Sequence, residues 1–591
     1  MAKKKTPFGR FLVWRFKHIS DKNFIYFLSL IVGLFAGLVS VFLKNVTHFI
    51  TTTFESGSFT AYHSYLYFIF PLIGLLLVLF IKKFILRGQV GHGIPMALYA
   101  MSKKSGKMQR RHMFSSLITA PLTVGFGGSV GLEGPSVATG ACFGSNISRL
   151  FHMKPQTRKL LLVCAAAGSL SAIFKAPIAA ILFAIEVFSL DLTFASLLPL
   201  LMASIVAVVT RLFFIGEQYI VDFHAIGDFK IENILLYVAL GIVAALVSLY
   251  FSRVYFLTED YFAKIKNDYA KVGIAGVLLG VLLFFIPPLY GEGYGFMNNL
   301  IFQDYHKAFE AFHYQELIDN PYVVVLLTLG LILVKPLATS ATLSSGGVGG
   351  VFAPVLFLGA ATGSLFVNVS NFLGLYLPTS NFTLVGMAGL MAGVLQAPLT
   401  AIFLIAEITG GYEMFVPLMI VTSISFLISK SQYDFNIYTR DLVKNNELLT
   451  QNKDQSVLTL LKLDQVIEKN FISLTPKMTL KEMLHQAVAK SQRNLFPVLN
   501  DEGELVGVLT LDDIREKMFD EELQDSLLVE FLMHDAPDYI RYGQDSMKDV
   551  MERFESSGAW NLPVIDDENK YVGFVSKSKM LTAYRRKLIS Y

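Results

Sequence analysis

Apolar residues run in long, nearly unbroken blocks from about residue 24 to residue 430, and the blocks stop abruptly after Lys430. The first is 24–43, and 65–81, 235–251 and 323–334 with its extension are others. A helix crossing the apolar part of a bilayer needs roughly 20 such residues, so these blocks predict membrane-spanning helices. Other blocks are short and cut by Gly or Pro, around 91–101, 125–147 and 346–365. Broken backbone persists at membrane depth only where protein or a water-filled cavity covers it. Short interrupted helices near mid-membrane mark transport sites. Residues 444–591 contain no span and are rich in Lys, Glu, Asp and Gln.

The pattern repeats within the chain. Ala176-Pro-Ile-Ala-Ala-Ile-Leu-Phe-Ala-Ile-Glu186 matches Ala397-Pro-Leu-Thr-Ala-Ile-Phe-Leu-Ile-Ala-Glu407 at an offset of 221, with five of eleven positions identical. Upstream, Gly128, Gly131, Pro135, Gly140, Ala141 and Gly144 match Gly347, Gly350, Pro354, Gly359, Ala360 and Gly363 at an offset of 219. Transporter folds are commonly built from such repeats; the pattern itself leaves open whether the halves are inverted. The tail carries a tandem repeat of its own, 495–510 against 561–576, with Pro497 and Pro563 66 residues apart, as are Gly507 and Gly573. Each tail unit reads as strand, Asp/Gly/Asn turn, strand, helix.

Chemistry concentrates in Gly128-Ser-Val-Gly-Leu-Glu-Gly-Pro135. Glycines let backbone N–H groups approach a ligand, proline suits the first helical position, and the N-terminus of a helix so begun attracts anions. A carboxylate on the same turn, Glu133, competes with the anion and reads as a gate. Glu133 is the only acidic residue in the short broken segments, which argues against a cation path, since that needs acidic linings.

Composition narrows the class. The 591 residues are 53% hydrophobic and 16% charged, with mean hydropathy +0.52, where soluble proteins carry about 25% charged residues. A polytopic membrane protein with an attached soluble part is expected. The net charge of +4 calls for no nucleic-acid partner. Cys142 and Cys164 lie in apolar blocks and read as buried free thiols, without a metal role. The basic start, with Lys3, Lys4, Lys5, Arg10, Arg15 and Lys17, lacks the form of a cleaved signal peptide and favours a cytoplasmic N-terminus. The tail is then cytoplasmic too, given an even number of crossings. No metal cluster, nucleophile elbow or phosphate loop points to an enzyme.

Four separated stretches carry a family resemblance: Gly91-His-Gly-Ile-Pro95, Gly131-Leu-Glu-Gly-Pro135, Gly350-Val-Phe-Ala-Pro354 and Asn436-Ile-Tyr438. In this order and spacing the chain resembles the CLC chloride channel and transporter family over nearly its whole length, and its tail resembles a pair of CBS modules. The resemblance implies an all-α polytopic fold of two inverted halves with broken helices, followed by an α/β tandem-CBS domain. It implies a homodimer with one anion path per subunit. Glu133 matches the external gating glutamate. Anion-coordinating positions fall at His92, Gly93 and Ile94, at the N–H groups of Val351 and Phe352, and at the Tyr438 hydroxyl. Such neutral donors hold an anion and let it leave. Taken alone, Tyr438 reads as an interfacial anchor, and Val351 and Phe352 as packing residues.

Three departures from the family pattern matter. His92 stands where well-known members carry an anion-coordinating serine; either its imidazole or only its backbone serves, and the change leaves the order among chloride, nitrate and fluoride open. Val187 stands where proton-exchanging members carry a second glutamate that passes protons inward, so the inner proton relay is lost here. The neighbouring Glu186, with its repeat mate Glu407, reads as architectural. In the tail, Thr510-Leu-Asp-Asp513 matches a pattern whose hydroxyl and carboxylate meet a nucleotide ribose. The second module has Ser576-Lys-Ser-Lys579 instead, so one adenine-nucleotide site is allowed and two are not supported. A purely structural CBS pair is the alternative.

The expected organisation is a cytoplasmic segment 1–23, an anion pathway 24–440 with repeats at roughly 24–215 and 233–440, a linker 441–462, and CBS modules at 463–520 and 521–591. The expected function is passive chloride transport gated by Glu133, without a required cofactor, in a bacterial inner membrane. A proton-coupled chloride exchanger is the rival; a CBS-regulated cation channel is the next.

Overall fold

The computed structural model describes residues 7–55, 63–86, 93–190, 193–216, 230–310, 312, 315–444 and 461–590. It divides into two compact units, residues 1–448 and 449–591. The first is helical: α1 (Pro7–His18), α2 (Asp21–Glu55), α3 (His63–Phe80), α4 (Gly93–Lys103), α5 (His112–Gly125), α6 (Glu133–Leu150), α7 (Pro155–Phe174), α8 (Pro177–Glu186), α9 (Phe194–Ile215), α10 (Ile234–Lys264), α11 (Asp268–Phe285), α12 (Tyr294–Ile301), α13 (Tyr305–Ala308), α14 (Pro321–Ser344), α15 (Phe352–Phe372), α16 (Thr379–Leu395), α17 (Pro398–Ile408), α18 (Phe415–Gln432) and α19 (Arg440–Lys444). Among the described residues nine helices are long and apolar enough to cross a membrane, and α8, α16 and α17 are shorter apolar helices. The block at 346–365 is less broken than its glycines suggest: the chain breaks only at 345–351, and α15 then runs unbroken for 21 residues.

The sequence repeat is a structural repeat down to its helix ends. α7 stops at Lys175 and α16 at Gln396, both in the left-handed conformation, at φ 56° and 53°. Each is followed by Ala-Pro opening the next helix, where proline has no N–H to leave unpaired. Gly140 packs α6 onto α7 as its mate Gly359 packs α15 onto α16. A Cβ on either would come within 2.8 Å of a backbone carbonyl oxygen, that of Ala165 or Gly386. Close approach through small residues is how helices associate where lipid gives no hydrophobic drive.

The halves are inverted. Repeat mates Gly131 and Gly350 exchange two backbone hydrogen bonds in an antiparallel bridge, 2.9 and 2.8 Å. Further along, Glu186 at the end of α8 accepts the N–H groups of Leu399 (2.9 Å) and Thr400 (2.8 Å) and the Thr400 hydroxyl (2.5 Å). Glu407 at the end of α17 accepts those of Ile178 (3.0 Å) and Ala179 (2.8 Å). Each carboxylate thus caps the other half's helix start, which only antiparallel mates can do. Both use the preference of helix N-termini for negative charge.

The second unit holds a four-stranded sheet in the order β1 (Ile467–Glu468), β6 (Tyr571–Ser576), β5 (Asn561–Ile565), β4 (Ile540–Arg541), and a hairpin of β2 (Leu495–Leu499) with β3 (Leu505–Thr510). The strand–turn–strand–helix order expected of each repeat is present in both. The two hairpins share a register shift, at Val498/Leu499 and Val564/Ile565. Their turns share a left-handed residue, Gly503 and Asn569. The cores interlace along the chain: Leu461 and Val466 pack with the second repeat, and Val529 and Leu532 with the first. β1, although it precedes the first hairpin, pairs with β6 of the second.

Candidate functional site

Three glycine backbones bring helix N-termini together in the centre of the first unit. A Cβ at Gly134 would stand 3.0 Å from Gly350 Cα, and one at Gly93 3.5 Å from the Gly134 carbonyl carbon. The starts of α4, α6 and α15 therefore converge, and neither α6 nor α15 has a side-chain cap on its first N–H groups. Open donors at converging positive helix ends make an anion site. Gly93, Ile94, Val351 and Phe352 are all buried at this point. The Phe352 ring packs 5.1 Å from Phe174 and 6.3 Å from Phe183, which holds the α15 start against the ends of α7 and α8. His92 lies outside the described residues.

Glu133 is the first residue of α6 and is 0% exposed. The Tyr294 hydroxyl, at the start of α12, donates to its Oε1. Its Oε2 is buried without a hydrogen-bond partner among the described residues, and the Ala353 N–H of α15 lies near the carboxylate. A Cβ at Gly131 would strike that same Oε2, so glycine is required where the carboxylate folds back over its own turn. The carboxylate lies at the start of α15, where the expected anion donors are.

Tyr438 approaches from the other repeat. Its ring is 5% exposed, and its hydroxyl has no hydrogen-bond partner among the described residues. Asn436 fixes it there: its Oδ1 accepts the N–H groups of Tyr438 (3.0 Å) and Thr439 (3.1 Å), and its Nδ2 donates to the Leu395 carbonyl at the end of α16 (2.8 Å). A buried hydroxyl without a protein partner is uncommon. Tyr438 and Glu133 lie within electrostatic range of each other.

Val187 follows α8 and is buried, its N–H donating to the Phe183 carbonyl at 2.9 Å. It offers no proton carrier, and the oxygens of neighbouring Glu186 are occupied by three donors of α17.

Two charged groups escaped the sequence reading. Glu292, in the Gly-Glu-Gly-Tyr turn before α12, accepts the N–H of Leu132 at 3.0 Å, immediately beside Glu133. Lys335 is wholly buried in α14, its Nζ 4.3 Å from the Phe357 ring centre and 3.5 Å from the Leu289 carbonyl. Glu292 is marked in the sequence only by its polar Gly-Glu-Gly-Tyr turn. Lys335 is a single charge inside a long apolar block.

In the second unit Thr510 and Asp513 satisfy each other. Asp513 Oδ2 accepts the Thr510 N–H (2.7 Å) and hydroxyl (2.6 Å), closing the cap of the helix Leu511–Ile514. A cavity of about 510 Å³ lies against Ser576, Lys579 and Trp560 of the other module, with Arg493 and Glu468. Glu468 accepts the Ser576 hydroxyl at 2.7 Å and pairs with Arg493.

This is the architecture of a membrane protein that brings uncapped helix ends to one buried point. The sequence matches the family described as voltage gated chloride channel over residues 73–430 and the CBS domain over 463–520 and 529–586. The chain belongs to the voltage gated chloride channel family, with two CBS domains, and transports anions across the membrane. It is 26% identical to the H(+)/Cl(-) exchange transporter ClcA of Vibrio cholerae over 471 residues, 76% of this chain and 93% of that protein. Against the protein of the same name from Yersinia pestis it is 29% identical over 360 residues, 60% of this chain and 72% of that one. Among solved structures it resembles a slow cyanobacterial Cl-/H+ antiporter (TM-score 0.62, 21% identity, 71% of this chain and 97% of that one). It also resembles a eukaryotic CLC transporter (TM-score 0.55, 18% identity, 94% and 97%).

Proposed function

We propose that this protein exchanges chloride for protons, with Glu133 as the group that meets both ions. The observation that carries the reading is the Glu133 carboxylate, fully buried and folded over the start of α15. Ionised, it occupies the donors an anion would use; protonated, it yields them. Chloride then takes the N–H groups at Val351 and Phe352 and the Tyr438 hydroxyl. Backbone dipoles and one phenol hold it without a fixed full charge, so it can leave again.

The relatives named as exchangers favour exchange over the passive channel expected from Val187. In this reading protons cross the inner half of the path on water, since residue 187 carries none and Glu186 is committed to α17. A passive chloride channel is the second reading, favoured by the apolar Val187. Recording chloride and proton movement together in sealed liposomes separates the two. Uphill proton movement driven by a chloride gradient supports exchange; chloride flux without it supports the channel.

The proposal extends to a homodimer with one path per subunit, termini in the cytoplasm and residence in a bacterial inner membrane. The tail is proposed to bind an adenine nucleotide. The cavity at Trp560 and Lys579 suits it better than Thr510 and Asp513, because it offers an aromatic face and two cations near Ser576.

A further inference from the structure

We infer that Glu292 is a second proton-handling carboxylate, receiving protons from the outer solution and passing them to Glu133. The inference rests on the exchange reading and on its N-terminus-inside orientation. In this conformation Glu133 is 0% exposed. Glu292, in the turn before α12, is partly exposed as a residue, unlike Glu133. It is fixed beside Glu133 by the 3.0 Å hydrogen bond from the Leu132 N–H. The Oε2 of Glu133 is buried and lacks a hydrogen bond of good geometry, while Oε1 is taken by Tyr294. Oε2 is the oxygen left to receive a proton.

Two neighbouring carboxylates can share one proton. The groups facing the pair come from each element packed around it. Lys44 of α2 lies within electrostatic range of both Glu292 and Glu133, together with Arg211 of α9 and Lys175 at the end of α7. Tyr294 of α12 interacts with both carboxylates. Tyr438 lies within electrostatic range of Glu133. Lys44 stands in the C-terminal part of α2, toward the outer side in this orientation. The step is a proton transfer: the O–H bond at Glu292 breaks as one forms at Glu133 Oε2, and water reprotonates Glu292.

The charges give the test its signs. Removing the negative charge in Glu292→Gln makes Glu133 harder to protonate, so the external-pH midpoint of transport moves to lower pH. Removing the positive charge in Lys44→Met moves it to higher pH. Glutamine keeps an oxygen that accepts the Leu132 N–H, so the turn is retained. The full-length protein is reconstituted in liposomes, and chloride and proton fluxes are recorded from external pH 4.5 to 8. The expected result for Glu292→Gln is an acid shift of at least one pH unit and about tenfold slower proton movement at neutral pH, with chloride flux recovered in acid. Lys44→Met shifts the other way. A wild-type pH profile and proton rate in Glu292→Gln overturns the inference, while leaving exchange intact if Glu133→Gln still abolishes proton movement. Should Glu292→Gln not fold, Lys44→Met decides: an alkaline shift supports the inference and an unmoved midpoint overturns it. Absence of proton movement in the wild type is a different failure, that of the exchange reading itself.

Discussion

Glu186 and Glu407 hold opposite helix starts: each ends its own helix and accepts two backbone N–H groups from the other half, at 2.8–3.0 Å. The pair ties the inverted repeats together, and it ties Glu186 to architecture. Hydrogen bonds to a charged acceptor are worth about 1.5–3 kcal/mol each. Glu186→Gln and Glu407→Gln are each expected to lower stability by roughly that much, read as a fall in thermal midpoint in detergent. The proton-to-chloride ratio of Glu186→Gln is expected to equal that of the wild type. A changed ratio at unchanged stability would make Glu186 a proton carrier.

The Tyr438 hydroxyl is buried and has no hydrogen-bond partner among the described residues. Tyr438→Phe removes one neutral donor and keeps the ring. A net hydrogen bond of about 1 kcal/mol corresponds to roughly fivefold weaker chloride binding, measurable by calorimetric titration with chloride. Unchanged affinity would return Tyr438 to a packing role.

Val187 is buried at the end of α8. If protons cross the inner half on water, Val187→Glu adds a carrier there, and faster proton movement at similar chloride flux is expected in liposomes. Val187→Gln, of like size without a titratable proton, is expected to give no acceleration. Equal rates in the two variants would remove position 187 from the proton route.

Much of this was legible in the sequence because membrane-embedded backbone is intolerant. Where helices must break or touch, Gly and Pro are nearly obligatory, so Gly131 with Gly350 and Pro177 with Pro398 display the repeat directly. The repeat pattern alone left the relation between the halves open and only the family resemblance implied inversion, which in the structure rests on which N–H groups Glu186 and Glu407 meet. Glu292 was missed because it is 159 positions from Glu133 in the chain and marked only by a polar turn. The tail cavity was missed for a similar reason. Glu468 and Arg493 reach it from segments far from Ser576, while Thr510 and Asp513, which match the ribose motif, spend their polar atoms on a helix cap.

The tail cavity gives a direct optical test. Trp560 lines it, and the chain has only one other tryptophan, Trp14. Adenosine triphosphate added to the full-length protein is expected to quench Trp560 fluorescence. Lys579→Ala is expected to weaken the response about tenfold through a lost phosphate contact, equivalent to about 1.4 kcal/mol. Thr510→Ala is expected to leave it unchanged. No quenching, or a response lost with Thr510→Ala alone, would move the site or remove it.

The central claim is that one buried carboxylate serves both ions. Its most direct test is simultaneous chloride and proton recording from liposomes holding the wild type or Glu133→Gln. In the wild type, a chloride gradient is predicted to drive protons uphill in fixed proportion. In Glu133→Gln, proton movement is predicted to vanish while chloride flux persists with a flattened external-pH dependence. A variant that keeps the wild-type pH profile and proton coupling would contradict the account.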